Sequence, residues 1–385
     1  MRSLQSELLR PLYRGLFLCI INNEGNIKNM TLDYYKVKLK ETADKLSEFK
    51  KGILAVDEST KTIGKRLFDI NVENTEENRQ AYRGMLFTTP DLGKYISGAI
   101  LYEETLYQKH ADGDSMVDKL AKQGIIPGIK VDTGLKPLVG ALEHETYCSG
   151  LDGLTERASN YYEQGARFAK WRAVLQITED GPSDLAIQEN AWGLARYARA
   201  VQEAGLVPII EPEILMDGNH SIETTSKIQQ RVITEVYKAC HLNGVYLEGT
   251  LLKPSMTVSG SDASEDDAET VAKMTVETLL RCVPAAVPGI VFLSGGLSED
   301  QASTYLNEMQ HVAMTLSNVP WNLSFSFGRA LQHSCLRAWG GVDGKAGHIA
   351  LLERARANSE ASCGLYANSE EGVSNESLFV SDYKY

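Results

Sequence analysis

The 385-residue chain lacks the features that mark several classes of protein. No apolar run approaches the roughly 20 residues that cross a lipid bilayer, so we expect no membrane-spanning helix and no membrane partner. Basic residues are outnumbered 39 to 51, and the resulting net charge of −12 disfavours a nucleic-acid partner. An anionic ligand must therefore be bound by a local group of basic side chains.

Cysteine and histidine are scarce and irregularly spaced. The six cysteines form no C-x-x-C pair, which in a chain of this length indicates reduced thiols in a reducing compartment. None of the seven histidines ends a predicted strand, and neither HxH nor HxxxH spacing occurs. We therefore expect neither a metal site nor another cofactor.

The chain does contain eight short apolar segments that alternate with amphipathic helical patterns. Such segments, rich in Val, Ile, Leu and Phe, are typical of strands buried on both faces of a parallel sheet. Their number predicts a single (β/α)₈ TIM barrel of the α/β class, with an open doubly wound sheet as the alternative. The predicted strands are Gly52–Asp57, Tyr95–Glu103, Ile125–Asp132, Phe168–Leu175, Val207–Leu215, Val245–Lys253, Gly289–Gly295 and Leu323–Arg329.

Two terminal segments differ from the predicted barrel, which we place at residues 31–355. Residues 1–30 are basic and carry a short apolar run. They are either a transit peptide or an extension without a targeting role, with Met30 as an alternative start. Residues 356–385 are rich in Ser, Glu, Asn and Gly, which predicts a mobile C-terminal tail.

Lys253 ends one of the apolar segments, and Pro254 follows it and stops the strand. A lysine is seldom fully buried without a functional reason, because burial disfavours the charged form of an amine. An uncharged amine can attack a carbonyl and form a Schiff base. On position alone, the alternative is a lysine that extends from a strand end to the surface.

Charged residues also end most of the other predicted strands. In a (β/α)₈ barrel these ends meet at one face, where active sites form. Lys170 can help to activate Lys253, since a second positive charge lowers the pKa of an amine. Glu211 is a candidate general acid/base for carbinolamine chemistry, and Asp57 is a candidate base for a hydroxyl proton. Glu213 is either a further catalytic carboxylate or half of a structural ion pair.

Two sets of residues can bind phosphate. Arg329 belongs with Ser294 and Gly295, whose backbone N–H groups can hold an anion, although a plain tight turn is the alternative there. A second set can hold another phosphate, and it consists of Ser59, Thr62, Lys65, Arg66, Lys130 and Arg172. Two anion sites beside a Schiff-base lysine indicate a sugar bisphosphate as the substrate.

The stretches that carry these residues closely resemble the class I fructose-1,6-bisphosphate aldolase family, and the resemblance covers roughly residues 33–385. The closing residues 381–385 and the segment 324–327 are most similar to the cytosolic plant-type branch. The matching stretches are Gly52–Thr60, Ile129–Asp132, Ala169–Arg172, Glu211–Glu213, Val245–Ser255, Leu293–Gly296 and Phe327–Leu331.

The resemblance implies a metal-independent lyase that reversibly cleaves fructose 1,6-bisphosphate to dihydroxyacetone phosphate and glyceraldehyde 3-phosphate in glycolysis and gluconeogenesis. It assigns the Schiff base to Lys253, and the acid/base and charge-stabilising roles to Asp57, Lys170 and Glu211. Tyr385 resembles the family's mobile terminal tyrosine, which assists proton exchange. The resemblance implies that Ser294, Gly295 and Arg329 bind the phosphate of the ketone half. It implies that Ser59, Thr62 and Lys130 bind the other phosphate.

The resemblance also implies a homotetramer in the cytoplasm, with cytoskeletal proteins as candidate partners. An organelle is the alternative location if residues 1–30 act as a transit peptide. A scaffold protein that keeps the fold is disfavoured because every catalytic candidate is present. A lyase for singly phosphorylated sugars is disfavoured by the two basic sets. Departures from the family pattern at Lys61, Thr133 and Leu297 bear on affinity and substrate preference.

Overall fold

The computed structural model of the protein describes residues 19–21, 27–29, 31–367 and 374–383. Most of the predicted N-terminal extension therefore lies outside the described residues. Within it, β1 (Cys19–Ile21) and β2 (Ile27–Asn29) form a two-stranded antiparallel sheet. The role proposed for the extension, as a transit peptide or otherwise, stays a prediction.

Eight parallel strands close into a barrel, which confirms the predicted (β/α)₈ architecture and excludes the open sheet. In chain order the barrel strands are β3 (Gly52–Val56), β4 (Ile96–Leu101), β5 (Ile126–Lys130), β8 (Phe168–Gln176), β9 (Val207–Leu215), β10 (Leu251–Leu252), β11 (Gly289–Phe292) and β12 (Asn322–Phe327). A separate antiparallel pair, β6 (Leu135–Pro137) with β7 (Thr146–Cys148), lies in the connection after β5. Each barrel strand pairs with the next barrel strand along the chain, and β12 pairs with β3 to close the barrel.

Helices surround the barrel and cover its outer face. The local sequence specifies where helices begin. Ser183 caps the helix that starts at Asp184, and Ser298 with Gln301 forms the predicted capping box of the helix that starts at Glu299. The helices are α1 (Thr31–Leu46), α2 (Thr60–Phe68), α3 (Glu76–Phe87), α4 (Glu103–Tyr107), α5 (Met116–Lys122), α6 (Leu154–Glu163), α7 (Asp184–Glu203), α8 (Ile222–Leu242), α9 (Ala268–Cys282), α10 (Glu299–Leu316), α11 (Arg329–Trp339) and α12 (Gly344–Ala361).

Helix α1 closes the amino-terminal end of the barrel. Its apolar side chains, among them Leu39 and Leu46, form one buried cluster with barrel residues such as Ile53, Phe168 and Val207. This cluster excludes water from that end. The opposite end, where the strands terminate, is consequently the face at which polar side chains can meet a ligand.

The prediction of a strand over Val245–Lys253 is wrong for the first half of that segment. Leu247–Gly249 form a 3₁₀ turn, and only Leu251–Leu252 pair within the barrel. The side-chain amide of Gln202 donates to the carbonyls of Tyr246 and Gly249, at 2.8 and 3.1 Å. A side chain of α7 thus replaces the strand partner that these backbone groups would otherwise need.

Two predicted boundaries near the C-terminus also need correction. Arg329 does not end a strand but begins α11, one residue after Gly328. Helix α12 continues to Ala361, so the segment after the barrel starts later than the predicted residue 356. Residues 374–383 lie across the barrel mouth, and the mobility of the tail stays a prediction.

Among the helices that the structure describes, none combines the length and the apolar content that a bilayer crossing requires.

Candidate active site

The catalytic candidates lie in the inward-facing rows of the strands. Alternate residues of a strand point to the same face, so the row of β8 runs Phe168, Lys170, Arg172. The row of β9 likewise runs from Ile209 to Glu211. Each row begins with an apolar residue in the barrel interior and becomes charged toward the carboxyl end. The change from apolar to charged marks the floor of the site.

Four side chains form a chain of ion pairs, which we call the floor: Lys170 and Glu211 lie within β8 and β9, and Asp57 and Lys253 directly follow β3 and β10. Lys253 Nζ lies 3.1 Å from Glu211 Oε1. The other oxygen of Glu211 lies 3.2 Å from Lys170 Nζ, which is 2.6 Å from Asp57 Oδ2. All four side chains are at most 8% exposed. The two ammonium and two carboxylate groups therefore balance one another where water is nearly absent.

The environment of Asp57 favours its ionised form. Burial by itself would raise the pKa of this carboxyl, but the charges of Lys170, Lys253 and Lys130 outweigh burial and lower the pKa to about 2. Asp57 is therefore an anion across the physiological range. The buried position of Lys253, 4% exposed, also argues against a lysine that extends to the surface.

Two further ion pairs flank the floor. Arg172 Nε donates to Glu213 Oε2, and the positive charge of Arg172 keeps the pKa of Glu213 below its usual value although burial opposes this. Lys130 Nζ donates to the carboxylate of Asp132 and, at 2.9 Å, to its carbonyl oxygen. Glu213 thus takes part in the ion pair that the structural alternative anticipated, and it also lines the cavity described next.

A cavity opens above Lys253 at the barrel mouth. The cavity combines acidic, basic and hydroxyl groups from six strand ends and loops. Its lining residues include Asp57, Glu58, Thr62, Arg66, Arg172, Glu213, Lys253, Ser294, Gly295, Ser326, Arg329 and Tyr383.

Two members of one predicted basic set lie close to a member of the other. Arg66 and Arg172 were placed in a set apart from Arg329, yet all three contact one residue, Tyr383. Arg66 reaches the cavity from α2, and Arg329 from the start of α11. The three guanidinium groups form one group, which we call the arginine cluster.

Some predicted phosphate ligands do not line this cavity. Ser59 caps α2, and its hydroxyl lies 3.1 Å from that of Thr62, which does line the cavity. Lys65 is exposed on the same helix. Lys130 lies beside the floor, where its charge acts on Asp57. Tyr385 lies outside the described residues.

The segment Ser294-Gly295-Gly296 forms a tight turn, and Ser294 and Gly295 line the cavity. Leu297 N donates to the carbonyl of Ser294 at 2.9 Å. Gly296 has φ +88°, and a Cβ there would lie 2.4 Å from the sulfur of Met216. Glycine is therefore required by both backbone conformation and space.

Sequence reasoning missed three polar side chains of the cavity wall, those of Glu58, Ser326 and Tyr383. Glu58 pairs with Arg66, and Ser326 lies within β12 and lines the cavity. Glu58 could have been found, since it directly follows Asp57 at a strand end. Tyr383 had no comparable signal, because no local pattern indicates which tail residue returns to the barrel.

The described residues contain no group of three or more His, Cys, Asp or Glu side chains arranged to hold a metal ion. The floor offers two buried amines and two buried carboxylates, and the cavity above it adds a cluster of guanidinium groups. This set can perform proton transfer and amine–carbonyl chemistry on an anionic substrate.

The profile of one protein family, described as fructose-bisphosphate aldolase class-I, matches residues 38–385. Over 341 residues the chain is 56% identical to cytosolic fructose-bisphosphate aldolase 4 of Arabidopsis thaliana, covering 87% of this chain and 86% of that protein. It is 57% identical to cytoplasmic isozyme 2 of Pisum sativum, covering 87% and 94%. A chloroplastic aldolase of Oryza sativa subsp. japonica is 52% identical, covering 91% and 90%.

Among solved structures, the chain is similar to fructose-bisphosphate aldolase from Plasmodium falciparum, determined in complex with TRAP and a small-molecule inhibitor. The two chains share 51% sequence identity and superpose with a TM-score of 0.84. The match covers 88% of this chain and 96% of the other.

Proposed function

The chain belongs to the class I fructose-bisphosphate aldolase family, and on that premise we propose that Lys253 is the amine that forms the Schiff base. The enzyme is a metal-independent lyase whose substrate is a sugar phosphate. Of the two lysines on the floor, Lys253 is the one that lines the cavity, whereas Lys170 contacts two carboxylates beneath it.

Glu211 is the proposed proton shuttle for Schiff-base formation. When the Lys253 amine attacks the C2 carbonyl, the carbinolamine oxygen must gain a proton and leave as water. Glu211, 3.1 Å from Lys253 Nζ, is placed to supply that proton and to take one from the nitrogen. Lys170 stays cationic between Glu211 and Asp57 and stabilises the carboxylates as protons move.

Asp57 is the proposed base for C–C cleavage. It takes the proton of the C4 hydroxyl, the C3–C4 bond breaks, and its electron pair moves toward the iminium to give an enamine and an aldehyde. A carboxylate with a pKa of about 2 is a weak base. The step therefore depends on the iminium as an electron sink, which ties cleavage to prior formation of the Schiff base.

The arginine cluster is the proposed phosphate site. Arg329, Ser294 and Gly295 are assigned to the phosphate of the ketone half, and Arg66 and Arg172 extend the same positive surface. Burial lowers the pKa of the Arg329 guanidinium, and a bound phosphate would offset that cost. Lys130, with Ser59, Thr62 and Lys65, remains our assignment for the second phosphate, and Glu213 positions Arg172. Tyr385 is assigned to proton exchange at the enamine carbon.

We also propose a cytosolic homotetramer with cytoskeletal proteins as candidate partners. Identity to the cytosolic plant aldolases is 56–57%, against 52–53% for chloroplastic ones. Expressing a fluorescent protein fused behind residues 1–30 tests the location, since import into an organelle would contradict it. Sedimentation analysis of the purified protein tests the assembly.

The observation that carries the proposed roles is a buried lysine that faces a cavity and shares a carboxylate with a second lysine. Borohydride added with dihydroxyacetone phosphate should leave a permanent adduct on Lys253. Lys253→Ala should abolish both the adduct and cleavage of fructose 1,6-bisphosphate, while Lys136→Ala, an exposed lysine, should change neither. An adduct mapped to Lys170 would overturn the assignment.

A further inference from the structure

The C-terminal segment 374–383 is attached to the barrel mouth at several points. The carboxylate of Asp217 accepts hydrogen bonds from Asp382 N at 2.6 Å and from Ser381 Oγ at 3.2 Å. Leu378 is buried, and its carbonyl accepts a hydrogen bond from Arg329. Farther back, Glu376 pairs with Arg337 at 3.0 Å. The segment is therefore held along its length rather than at one end.

Tyr383 of this segment lies against the whole arginine cluster. Its ring centroid is 4.5 Å from the guanidinium carbon of Arg329 and 5.5 Å from that of Arg172. Arg172 Nη2 donates to the Tyr383 carbonyl at 3.0 Å, and Arg66 hydrogen-bonds the Tyr383 side chain. Tyr383 also lines the cavity above Lys253.

The segment therefore uses a donor from each member of the cluster. Arg172 and Arg66 donate to Tyr383, and Arg329 donates to the Leu378 carbonyl. All of these acceptors are uncharged. A phosphate that approaches the same groups offers charged oxygens, which attract the guanidinium charges directly and can accept two parallel hydrogen bonds from one guanidinium.

We propose that Tyr383 is an internal competitor of the substrate phosphate: it occupies the arginine cluster in the free enzyme, and phosphate displaces it together with residues 374–383. The inference rests on the proposed function, because it takes the cluster to be the phosphate site. The segment satisfies buried guanidinium groups while the site is empty. Only enzyme molecules whose C-terminal segment is displaced can bind phosphate, so the segment also raises the phosphate concentration needed for binding.

The test compares Tyr383→Ala with Val380→Ala, a half-exposed neighbour on the same segment. The probe is inorganic phosphate, measured as an inhibitor of fructose 1,6-bisphosphate cleavage. Loss of the ring contacts should lower the inhibition constant of phosphate by about 3- to 10-fold in Tyr383→Ala. Val380→Ala should match the wild type. Tyr383→Phe, which keeps the ring but loses the bond to Arg66, should fall between them.

Hydrogen exchange provides a second measurement that does not depend on turnover. Adding phosphate to the wild type should accelerate amide exchange in peptides covering residues 374–383. The same peptides should exchange rapidly in Tyr383→Ala without phosphate. Unchanged exchange in the wild type, or phosphate inhibition that is equal or weaker in Tyr383→Ala, would overturn the proposal.

Arg329→Ala separates failure of this inference from failure of the proposed phosphate site. If phosphate inhibition persists in Arg329→Ala, the cluster is not the phosphate site and both proposals fail. If inhibition is lost in Arg329→Ala but unaltered in Tyr383→Ala, the phosphate site stands and the competition alone is rejected.

Discussion

The floor of the site and the arginine cluster above it hold their charges in different ways. On the floor, Lys253, Glu211, Lys170 and Asp57 are nearly inaccessible to water and pair with one another inside the barrel. In the cluster, the guanidinium groups come from two helices and a strand, and their partners include uncharged groups of the C-terminal segment. The floor is a closed ionic network, whereas the cluster is open to exchange.

The difference corresponds to two tasks. Covalent chemistry benefits from groups that are already in position, because reorganising buried charges during the reaction is costly. Recognition of a phosphate requires groups that can give up one set of partners for another. We therefore expect substitutions on the floor to act on kcat and folding, and substitutions in the cluster to act on KM.

The largest effect is expected for Glu211→Gln, which keeps the shape of the floor but removes its proton shuttle. General acid–base groups contribute about 10²- to 10⁴-fold, so kcat should fall by that factor. Glu213→Gln, two residues farther along the same strand, is the matched comparison, and a loss below about tenfold there would assign Glu213 to its ion pair with Arg172. Steady-state kinetics of both variants measure this. Equal losses would remove the distinction between floor and cluster.

The second-largest effect is expected for Lys170→Met, because this substitution leaves two buried carboxylates without their shared partner. Breaking a buried pair in this way costs about 3–5 kcal/mol in the free energy of unfolding. Urea denaturation measures it, and adding Asp57→Asn to the variant should restore part of the loss. A cost below about 1 kcal/mol, typical of surface pairs, would show that the floor is less enclosed than its geometry indicates.

Arg329→Ala should weaken substrate binding with little change in stability. Charge-assisted bonds of this kind are worth about 1.5–3 kcal/mol, so KM should rise roughly 10- to 150-fold for fructose 1,6-bisphosphate and for fructose 1-phosphate alike. Lys130→Ala should strongly affect the bisphosphate alone. Comparable effects of Lys130→Ala on both substrates would contradict the assignment of a second phosphate to Lys130.

The smallest effect concerns acid stability. The pKa of Asp57 is lowered from 3.8 to about 2, so below pH 5 the unfolded chain binds a proton that the folded protein does not. The stability that Asp57 contributes is complete above pH 5 and falls as pH drops toward 2. Between pH 5 and 3, the wild type should lose about 1 kcal/mol more than Asp57→Asn. Parallel pH profiles in urea unfolding would show that Asp57 titrates normally.

The sequence by itself determined the barrel and the floor. Eight apolar segments specify eight buried strands. Because residues two apart in a strand face the same side, Glu211 faces the barrel interior as Ile209 does. Because all strand ends of such a barrel meet at one face, charged residues far apart in sequence could be placed together without knowing any contact. Lys253, Glu211, Lys170 and Asp57 were all found in this way.

The tertiary structure decided what does not follow from strand periodicity. Gln202 turns the predicted strand before Leu251 into a 3₁₀ turn by taking over its backbone hydrogen bonds, a contact between segments more than 40 residues apart. Arg66 and Arg329 meet because α2 and α11 both start at the barrel mouth, and Tyr383 joins them from the far end of the chain. Such long-range contacts depend on loop paths and side-chain packing, for which the local sequence carries no repeating signal.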